Sequence, residues 1–365
     1  MADSKKTIKR LGVLTSGGDC AGLNAVIRAI AYRAIQHYDC EVFGIQDGTH
    51  GLMDRPIRYE ELDLQMFSGT LLRTGGTILG TTTKGDPFHY PMPDGSFKNR
   101  SDEIVEGLQE LGLDGLIGIG GDGSLDILHR LIKDADIPFI GIPKTIDNDV
   151  PKTEFAVGFS TAVSIAVEAL DRLQPTADSH DRIMILEVMG RDAGHIALNA
   201  GIAGGADVIL IPEIEYDLNI IADHIKSLHA RGRNHALMVC SEAARSKEGE
   251  VFQQTGADGK KRYGGVGHVL GNRLAEMTGE EIRVTVLGHV QRGGVPSAQD
   301  RILASAFGVR AVDMIMKGET AKMVAWQHRQ VVAVDLEEVV AQAREVRPSE
   351  TLVQTARGLG ICLGD

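Results

Sequence analysis

Two neighbouring stretches of the sequence carry residues suited to phosphate and metal chemistry. Gly120-Gly-Asp-Gly-Ser124 follows one apolar run, and Thr145-Ile-Asp-Asn-Asp149 follows the next. Glycines on both sides of Asp122 let a phosphate approach the backbone, and the Asp122 carboxylate is suited to hold Mg²⁺ against phosphate oxygens. Asp147 and Asp149 are two residues apart, so one can face a substrate while the other faces a metal. The two loops predict a phosphate and metal site beside a carboxylate base.

A third glycine-rich turn lies near the N-terminus. Gly17, Gly18 and Gly22 separate the apolar run Leu11–Thr15 from a helical pattern that begins at Leu23. The free N–H groups and the dipole of a helix N-terminus attract anions. No Lys-Ser or Lys-Thr pair follows these glycines, so the turn is not a Walker loop. Taken alone, this turn is equally compatible with a structural role. An ordinary aspartate turn at Asp122 and a solvated acidic turn at Asp147–Asp149 are the less favoured alternatives for the other two loops.

Several cationic and polar residues stand at the ends of predicted strands and helices. Guanidinium groups bind phosphate through two parallel hydrogen bonds. Each arginine alone is compatible with a surface charge, but the set, in a chain of net charge -12, predicts a phosphorylated substrate. A histidine and a glutamate could add hydrogen bonds to that phosphate and to hydroxyls, although each also fits an ordinary structural role. These residues are Arg182, Arg191, Arg283, Arg292, His289 and Glu242.

Apolar strand-like runs alternate with helical periodicity along the chain. This alternation predicts an α/β fold with two doubly wound, mainly parallel-sheet (Rossmann-like) domains, and the active site in the cleft between them. We expect residues 1–150 to form the larger domain, rejoined by about 266–318 and the C-terminal segment. Residues 151–265 would form the second domain. The stretches 84–101 and 245–265 are predicted to be a surface excursion and a mobile insertion.

Composition narrows the class of protein. The chain has 365 residues, 43% of them hydrophobic, which is enough for two folded domains. A net charge of -12 argues against a general nucleic-acid binder. The 4 cysteines have no metal-ligand spacing, and no apolar run reaches membrane-spanning length or forms a signal peptide. We therefore expect a soluble cytoplasmic protein with reduced thiols, no zinc site and no membrane partner.

Five ordered signatures carry a resemblance to a known family. The sequence from Leu11 to about Gly318 resembles the bacterial-type 6-phosphofructokinases, the phosphofructokinase A family. The signatures are Leu14-Thr-Ser-Gly-Gly-Asp19, Gly120-Gly-Asp-Gly-Ser124, Pro143-Lys-Thr-Ile-Asp-Asn-Asp149, Val188-Met-Gly-Arg191 and Leu287-Gly-His-Val-Gln-Arg-Gly-Gly294.

The resemblance implies transfer of the γ-phosphoryl of Mg-ATP to the 1-hydroxyl of fructose 6-phosphate, a step of glycolysis. By the same resemblance, residues 1–150 bind the phosphoryl donor and 151–265 the sugar phosphate. The implied base is Asp147, Arg191 stabilises the transition state, and Thr145 and Gly18 contact the reacting groups. Asp122 and Asp149 would hold Mg²⁺. The implied donor-binding residues are Gly17, Gly18, Lys84, Gly121, Asp122, Gly123, Ser124 and Lys144. The implied sugar-phosphate residues are Thr145, Asp147, Asp149, Arg182, Met189, Gly190, Arg191, Glu242, Arg283, His289 and Arg292.

Two positions bear on the donor. Gly123 is typical of ATP users, whereas Lys144 resembles the pyrophosphate-dependent branch. ATP is the expected donor, and a pyrophosphate-dependent phosphotransferase is the alternative. The family has an arginine in this region that has no clear counterpart in this sequence. Lys84 is the nearest cation to that position along the chain. Two further hypotheses are a non-catalytic sugar-phosphate sensor on the same fold and a lipid or nucleotide kinase that shares the Gly-Gly-Asp-Gly loop.

The resemblance also implies a homo-oligomer, typically a tetramer, in which Arg182 and Arg283 reach a neighbouring subunit's site. Four residues match effector-site positions of the family, while Tyr32 and Gln174 replace arginines there. Altered or lost regulation by ADP or phosphoenolpyruvate is therefore expected. The four matching residues are Arg28, Asp207, Arg231 and Arg233.

Overall fold

The structure is a computed structural model that describes residues 8–249, 252–255, 261–340 and 343–365. The chain divides into two compact units, each built from three segments. The first unit comprises Met1–Thr145, Val150–Gly158 and Arg292–Ala343, and the second comprises Ile146–Asp149, Phe159–Gln291 and Arg344–Asp365.

Strands and helices alternate over most of the described residues. The strands are β1 (Arg10–Thr15), β2 (Glu41–Ile45), β3 (Tyr59–Glu61), β4 (Tyr90–Pro91), β5 (Phe97–Lys98), β6 (Gly115–Gly120), β7 (Phe139–Thr145), β8 (Val157–Gly158), β9 (Ile183–Val188), β10 (Val208–Leu210), β11 (Ala236–Ser241), β12 (Gln253–Thr255), β13 (Lys261–Tyr263), β14 (Ile282–Val286), β15 (Lys322–Gln327) and β16 (Gln330–Asp335). The helices are α1 (Leu23–Tyr38), α2 (His50–Met53), α3 (Ser101–Glu110), α4 (Asp122–Ala135), α5 (Phe159–Ser179), α6 (His195–Ala203), α7 (Leu218–Ala230), α8 (Val266–Thr278), α9 (Ala298–Met316), α10 (Leu336–Val339) and α11 (Thr351–Gly358).

The first unit is organised around a sheet of strand order β16-β15-β7-β6-β1-β2-β3, with β8 paired to β7. The inner strands β1, β2, β6, β7 and β15 pair in parallel, whereas β3 and β16 pair antiparallel at the two edges. Every residue of β6 is buried. Parallel strands covered on both faces are apolar throughout, which explains the continuous hydrophobic runs of the sequence.

The second unit has its own parallel sheet, of strand order β10-β11-β9-β14. All residues of β9 and β11 are buried. Ile183 and Ile185 on β9 pack in one apolar cluster with Ile221 and Ile225 on α7 and Leu270 on α8. Both units thus have the predicted α/β architecture of mainly parallel sheets, and the predicted fold class is confirmed.

The segments assigned to each unit differ from the predicted domain limits. We expected the chain to return to the first domain at about residue 266, but β14 pairs in parallel with β9 and belongs to the second sheet. The chain returns to the first unit only at Arg292. Residues from Arg344 to the C-terminus belong again to the second unit. Cys362 there forms a parallel bridge to Val208 on β10. A strand pattern along the sequence does not reveal which sheet the strand will join, so the boundary was predicted in the wrong place.

Local differences from the predictions concern helix ends and the two irregular stretches. Helix α3 begins at Ser101, and Arg100 is its N-cap residue. Helix α5 continues through Pro175 to Ser179. The stretch 84–101 contains the antiparallel pair β4–β5, and 245–265 contains the pair β12–β13. Residues 250–251 and 256–260 of the latter lie outside the described residues, so its predicted mobility stays a prediction.

Two expectations drawn from composition can be compared with the structure. The four cysteines are free, as predicted. Within the described part of the chain, no helix combines the length and the apolar character needed to cross a membrane.

Helices α1 and α9 of the first unit pack closely at a glycine. A Cβ added to Gly308 on α9 would lie 2.7 Å from Ala29 Cβ and 3.0 Å from the Val26 carbonyl oxygen on α1. Real Cβ atoms do not approach so closely, so a side chain at residue 308 would push the two helices apart. Gly308 is therefore required for this packing.

The first prediction follows from that contact. Gly308→Ala should lower the free energy of unfolding by about 1–3 kcal/mol through overpacking, even though alanine in a helix interior is otherwise favoured over glycine by about 1 kcal/mol. Gly358→Ala is the matched control, because a Cβ at Gly358 meets nothing within 4 Å. Urea unfolding of both variants measures the difference, and equal stabilities would contradict the proposed role of Gly308.

Candidate active site

In the first unit, the loop between β1 and α1 is held by the segment that precedes Lys84. The Gly17 N–H donates to the Thr82 carbonyl at 2.9 Å, and the Thr81 hydroxyl donates to the Gly17 carbonyl at 2.6 Å. Gly17 has φ +84°, a left-handed conformation that favours glycine. The Lys84 N–H bonds Thr82 Oγ1 at 3.1 Å and the Lys84 side chain is exposed. Lys84 therefore lies on a segment that touches the glycine loop.

The second donor-side element is the N-terminus of α4, which follows β6. The Leu125 N–H bonds the Gly121 carbonyl at 2.9 Å, so the N–H groups of Asp122, Gly123 and Ser124 precede the first helical hydrogen bond. A Cβ at Gly123 would meet nothing within 4 Å. Open space beside a helix N-terminus leaves room for an anionic group close to the backbone.

Two cations contact the glycine loop of the first unit. The buried Lys144, on β7, donates from Nζ to the Gly18 carbonyl. A Cβ on Gly17 would come 3.2 Å from Lys144 Nζ and 2.9 Å from Ser124 Oγ, and a Cβ on Gly18 would come 2.7 Å from Arg292 Nη1. The structure thus brings Gly17, Gly18, Ser124, Lys144 and Arg292 together. Thr145 ends the strand that carries Lys144. Both cations lie where an anion approaching the glycine loop would be stabilised.

In the second unit, the acidic loop places a buried carboxylate beside an arginine. Asp147 is 4% exposed, and its Oδ2 lies 3.9 Å from Arg191 Nε. The residue between the two acids, Asn148, has a left-handed φ of +54°. The Asp149 carbonyl accepts the Arg344 N–H at 2.7 Å, which ties the loop to the C-terminal segment. The predicted base and the predicted transition-state arginine are therefore neighbours.

The loop that carries Arg191 follows β9 and has a constrained backbone. Gly190 has φ +151°, and a Cβ there would lie 2.6 Å from the Ala193 carbonyl oxygen. Arg191 has φ +49°, a left-handed conformation that costs a residue with a side chain about 1–2 kcal/mol. Such a conformation persists only when surrounding contacts hold it. The contacts around this loop are therefore part of the site.

Three side chains accept hydrogen bonds from N–H groups of this loop. The buried Gln291 accepts from Met189 at 2.7 Å, and Glu242 accepts from Arg191 at 3.2 Å. Glu213 accepts from Gly194 at 2.9 Å. Burial raises the pKa of Glu213, although N–H groups at its carboxylate oppose that shift. Of the predicted sugar-phosphate residues, Met189 and Glu242 thus meet at the Arg191 loop.

The remaining predicted residues of the second unit lie around β14. Arg182 Nη2 is 2.9 Å from Glu281 Oε1, and Arg283 also pairs with Glu281. Hydrogen bonding from Arg182 lowers the pKa of Glu281. His289 is exposed in a 3₁₀ turn, two residues before Gln291. One carboxylate therefore links both arginines that were predicted to serve a neighbouring subunit.

The sequence patterns did not indicate Glu281, Gln291 and Glu213 as site residues. Gln291 lies inside a quoted signature, but only the structure shows its side chain accepting the Met189 N–H. Glu281 precedes Arg283 by two residues, a spacing that places side chains on the same face of an extended chain. Nothing in the sequence links Glu213 to Gly194, because Gly194 precedes α6 and Glu213 follows β10, and their contact depends on how these elements pack.

A buried histidine follows this loop. A ring nitrogen of His195 lies 3.3 Å from the Arg344 carbonyl oxygen, and His195 is 4% exposed. Burial lowers the pKa of His195 from 6.5 to about 4. The folded state therefore takes up this proton only at lower pH than the unfolded state does.

The second prediction concerns acid stability. Between about pH 6.5 and pH 4 the unfolded state binds the His195 proton and the folded state does not, so stability falls as the pH falls, by up to about 3 kcal/mol. His195→Gln should flatten the stability profile in this window, since glutamine can still donate to the Arg344 carbonyl. His328→Gln, at a side chain that is 95% exposed, serves as the control. Urea unfolding at several pH values measures the profile, and an unchanged slope in His195→Gln would refute this account.

Known proteins are similar to this chain in sequence and in fold. The chain matches the family model for phosphofructokinase over residues 10–315. It is 58% identical to the ATP-dependent 6-phosphofructokinase 1 of Nostoc sp. (strain PCC 7120), across 98% of this chain and 99% of that relative. Phosphofructokinase from Saccharomyces cerevisiae is similar with a TM-score of 0.76 and 30% identity, across 91% of this chain and 45% of the yeast chain. A pyrophosphate-dependent phosphofructokinase from Marinobacter aquaeolei gives a TM-score of 0.78 at 25% identity, across 98% and 93% of the two chains.

Proposed function

The chain belongs to the phosphofructokinase family, and we propose that it transfers the γ-phosphoryl group of ATP to the 1-hydroxyl of fructose 6-phosphate. The products are fructose 1,6-bisphosphate and ADP, and the reaction is a step of glycolysis. The observation that carries the proposal is the buried Asp147 carboxylate with Arg191 3.9 Å away, on loops whose sequences match the family.

Asp147 is the proposed general base. Its carboxylate accepts the proton of the sugar hydroxyl while the hydroxyl oxygen attacks the γ-phosphorus and the bond to the leaving ADP oxygen breaks. Arg191, whose backbone is held while its side chain is 62% exposed, is proposed to stabilise the charge that develops on the transferring group. Thr145 is proposed to contact the reacting end of the sugar phosphate. Fixed positions for base and arginine supply the proximity that the reaction requires.

The donor is proposed to bind at the glycine loops of the first unit. The N–H groups at the start of α4 and the cations Lys144 and Arg292 offer a positive environment for phosphate oxygens. The family resemblance assigned Arg292 to the sugar phosphate. The hydrogen bond that Arg292 Nη1 donates to the Asp19 carbonyl at 3.2 Å supports a position for this arginine beside the glycine loop. Gly121, Gly123 and Lys84 complete the proposed donor-binding set with Gly17, Asp122 and Ser124.

Mg²⁺ is the proposed metal, with Asp122 and Asp149 as its protein ligands. Among the residues that the structure describes, no group of three or more His, Cys, Asp or Glu side chains forms a metal cage. That finding fits Mg²⁺, which binds through one or two carboxylates, waters and substrate phosphates rather than through a dedicated cage. When bound, the ion would neutralise charge on the transferring phosphates.

The sugar phosphate is proposed to bind residues of the second unit. The set comprises Asp147, Asp149, Met189, Gly190, Arg191, Glu242 and His289, with Arg182 and Arg283 acting in a neighbouring subunit of a homo-oligomer, typically a tetramer. The shared contact with Glu281 supports a common role for the two arginines, because it brings both guanidinium groups to one carboxylate.

A cytoplasmic location stays a prediction.

The third prediction distinguishes ATP from pyrophosphate. Lys144, the residue that suggested pyrophosphate, donates a hydrogen bond to Gly18, which supports a structural use of this lysine in an ATP-dependent enzyme. With fructose 6-phosphate as acceptor, kcat/KM should be at least about 100-fold higher for Mg-ATP than for Mg-pyrophosphate. Assays of fructose 1,6-bisphosphate formation with each donor measure this ratio. A preference for pyrophosphate would establish the alternative donor.

The fourth prediction tests the base. Asp147→Ser should lower kcat by about 10²–10⁴-fold with little change in the KM for fructose 6-phosphate, because a general base acts in the transition state. Asp134→Ser is the control, since Asp134 is an exposed acid on α4. Retained turnover in Asp147→Ser would remove this residue from the role. Wild-type protein that binds fructose 6-phosphate but transfers no phosphoryl group would instead favour the sensor hypothesis.

A further inference from the structure

We propose that Tyr263, in the segment 245–265, is a positioning residue that acts through Asp192 to hold Arg191 in place. This inference rests on the proposed function and gives the segment a role that its sequence did not suggest. It concerns contacts within the second unit only.

Two residues from opposite ends of the segment meet at one carboxylate oxygen. The Tyr263 hydroxyl donates to Asp192 Oδ1 at 2.7 Å, and Arg245 Nη2 lies 3.3 Å from the same oxygen. Arg245 precedes β12, whereas Tyr263 is the last residue of β13. Asp192 directly follows Arg191 in the sequence. The segment is therefore tied at both ends to the residue next to the proposed transition-state arginine.

The tie complements the backbone contacts of the same loop. Gln291, Glu242 and Glu213 accept hydrogen bonds from N–H groups of Met189, Arg191 and Gly194. The contact at Asp192 differs because the loop contributes a side chain to it, whereas it contributes backbone N–H groups to the other three. It restrains the loop on the C-terminal side of Arg191, whose left-handed backbone requires such support.

The Tyr263 hydroxyl is suited to donate a stable hydrogen bond to Asp192. The hydrogen bond to Asp192 raises the pKa of Tyr263, and burial adds to this effect. The hydroxyl therefore keeps its proton and remains a donor at neutral pH. Asp192 has a side chain that is 59% exposed, so the contact is not required to satisfy a buried charge. Loss of the hydroxyl should loosen the loop rather than unfold the protein.

Loosening of the loop would act on the chemical step. Arg191 Nε lies 3.9 Å from Asp147 Oδ2, and the arginine must reach the transferring group with correct geometry. Small displacements of a charge-stabilising group lower the rate more than they lower substrate affinity. A positioning role for Tyr263 therefore predicts a reduced kcat with a nearly constant KM.

The test combines Tyr263→Phe with Arg191→Ala. Tyr263→Phe should lower kcat about 3- to 10-fold, the effect of losing one solvent-exposed hydrogen bond of ordinary strength, and leave the KM for fructose 6-phosphate within about twofold. In an Arg191→Ala background the same change should have no further effect, because Tyr263 acts through Arg191. Asp192→Ala should reproduce the loss and be non-additive with Tyr263→Phe. Full additivity in either cycle would overturn the proposal.

Tyr38→Phe is the matched control. The Tyr38 hydroxyl donates to Asp313 Oδ1 at 2.9 Å, so this variant removes a tyrosine–aspartate hydrogen bond between α1 and α9 of the first unit. It should leave kcat unchanged. Equal kcat values for Tyr263→Phe and Tyr38→Phe would refute the positioning role, whereas the wild-type activity itself decides the proposed function.

A second readout does not depend on turnover. Hydrogen exchange of the amides at residues 190–193 should be about tenfold faster in Tyr263→Phe than in the wild type, if the phenol holds this loop. Unchanged exchange there would overturn the proposal. If the wild type transfers no phosphoryl group from either donor, the proposed function fails, and hydrogen exchange still decides whether Tyr263 restrains the loop.

Discussion

The chemistry of this protein depends on a constraint at the carboxyl ends of its buried parallel strands. All residues of β6, β9 and β11 are buried, so these strands are rigid and cannot carry solvated polar side chains. Solvated polar groups therefore follow the strands, whereas a polar side chain inside a strand, such as Glu187 in β9, is buried and held by hydrogen bonds from the Gly265 and Gly267 N–H groups. Asp122 follows β6, Asp147 follows β7 and Arg191 follows β9. The candidate catalytic residues are therefore held within a few residues of a rigid strand end.

The strand ends alone do not explain the geometry, because the loops adopt conformations that most residues avoid. Gly17 and Gly190 accept positive φ values without a steric penalty, but Asn148 and Arg191 do not. Arg191 is held by contacts made with its neighbours on both sides, including the Met189–Gln291 and Asp192–Tyr263 hydrogen bonds. The loop thus gains its shape partly from residues that are distant in the sequence, since Gln291 is 102 positions from Met189 and Tyr263 is 71 positions from Asp192. This arrangement fixes the backbone while the arginine side chain stays exposed.

Shared carboxylates recur in the second unit. Glu281 contacts both Arg182 and Arg283, and Asp192 contacts both Arg245 and Tyr263. In each case one acidic group organises two donors that come from different elements. Each carboxylate oxygen has more than one lone pair, so a single oxygen, Glu281 Oε1 or Asp192 Oδ1, can accept both contacts. Such groups hold two donor side chains at one position.

The sequence by itself determined the fold class, the positions of most strands and helices, and the signatures on which the family membership depends. These features depend on short stretches of sequence. Apolar periodicity indicates which residues are buried, and glycines indicate turns that need positive φ. Only the tertiary structure decided that β14 joins β9, that Lys144 donates to Gly18 and that Tyr263 reaches Asp192. The physical reason is that strand pairing and side-chain contacts depend on which elements meet in space. Sequence periodicity carries no information about that choice, so supporting residues such as Glu281 and Gln291 become visible only when the chain is folded.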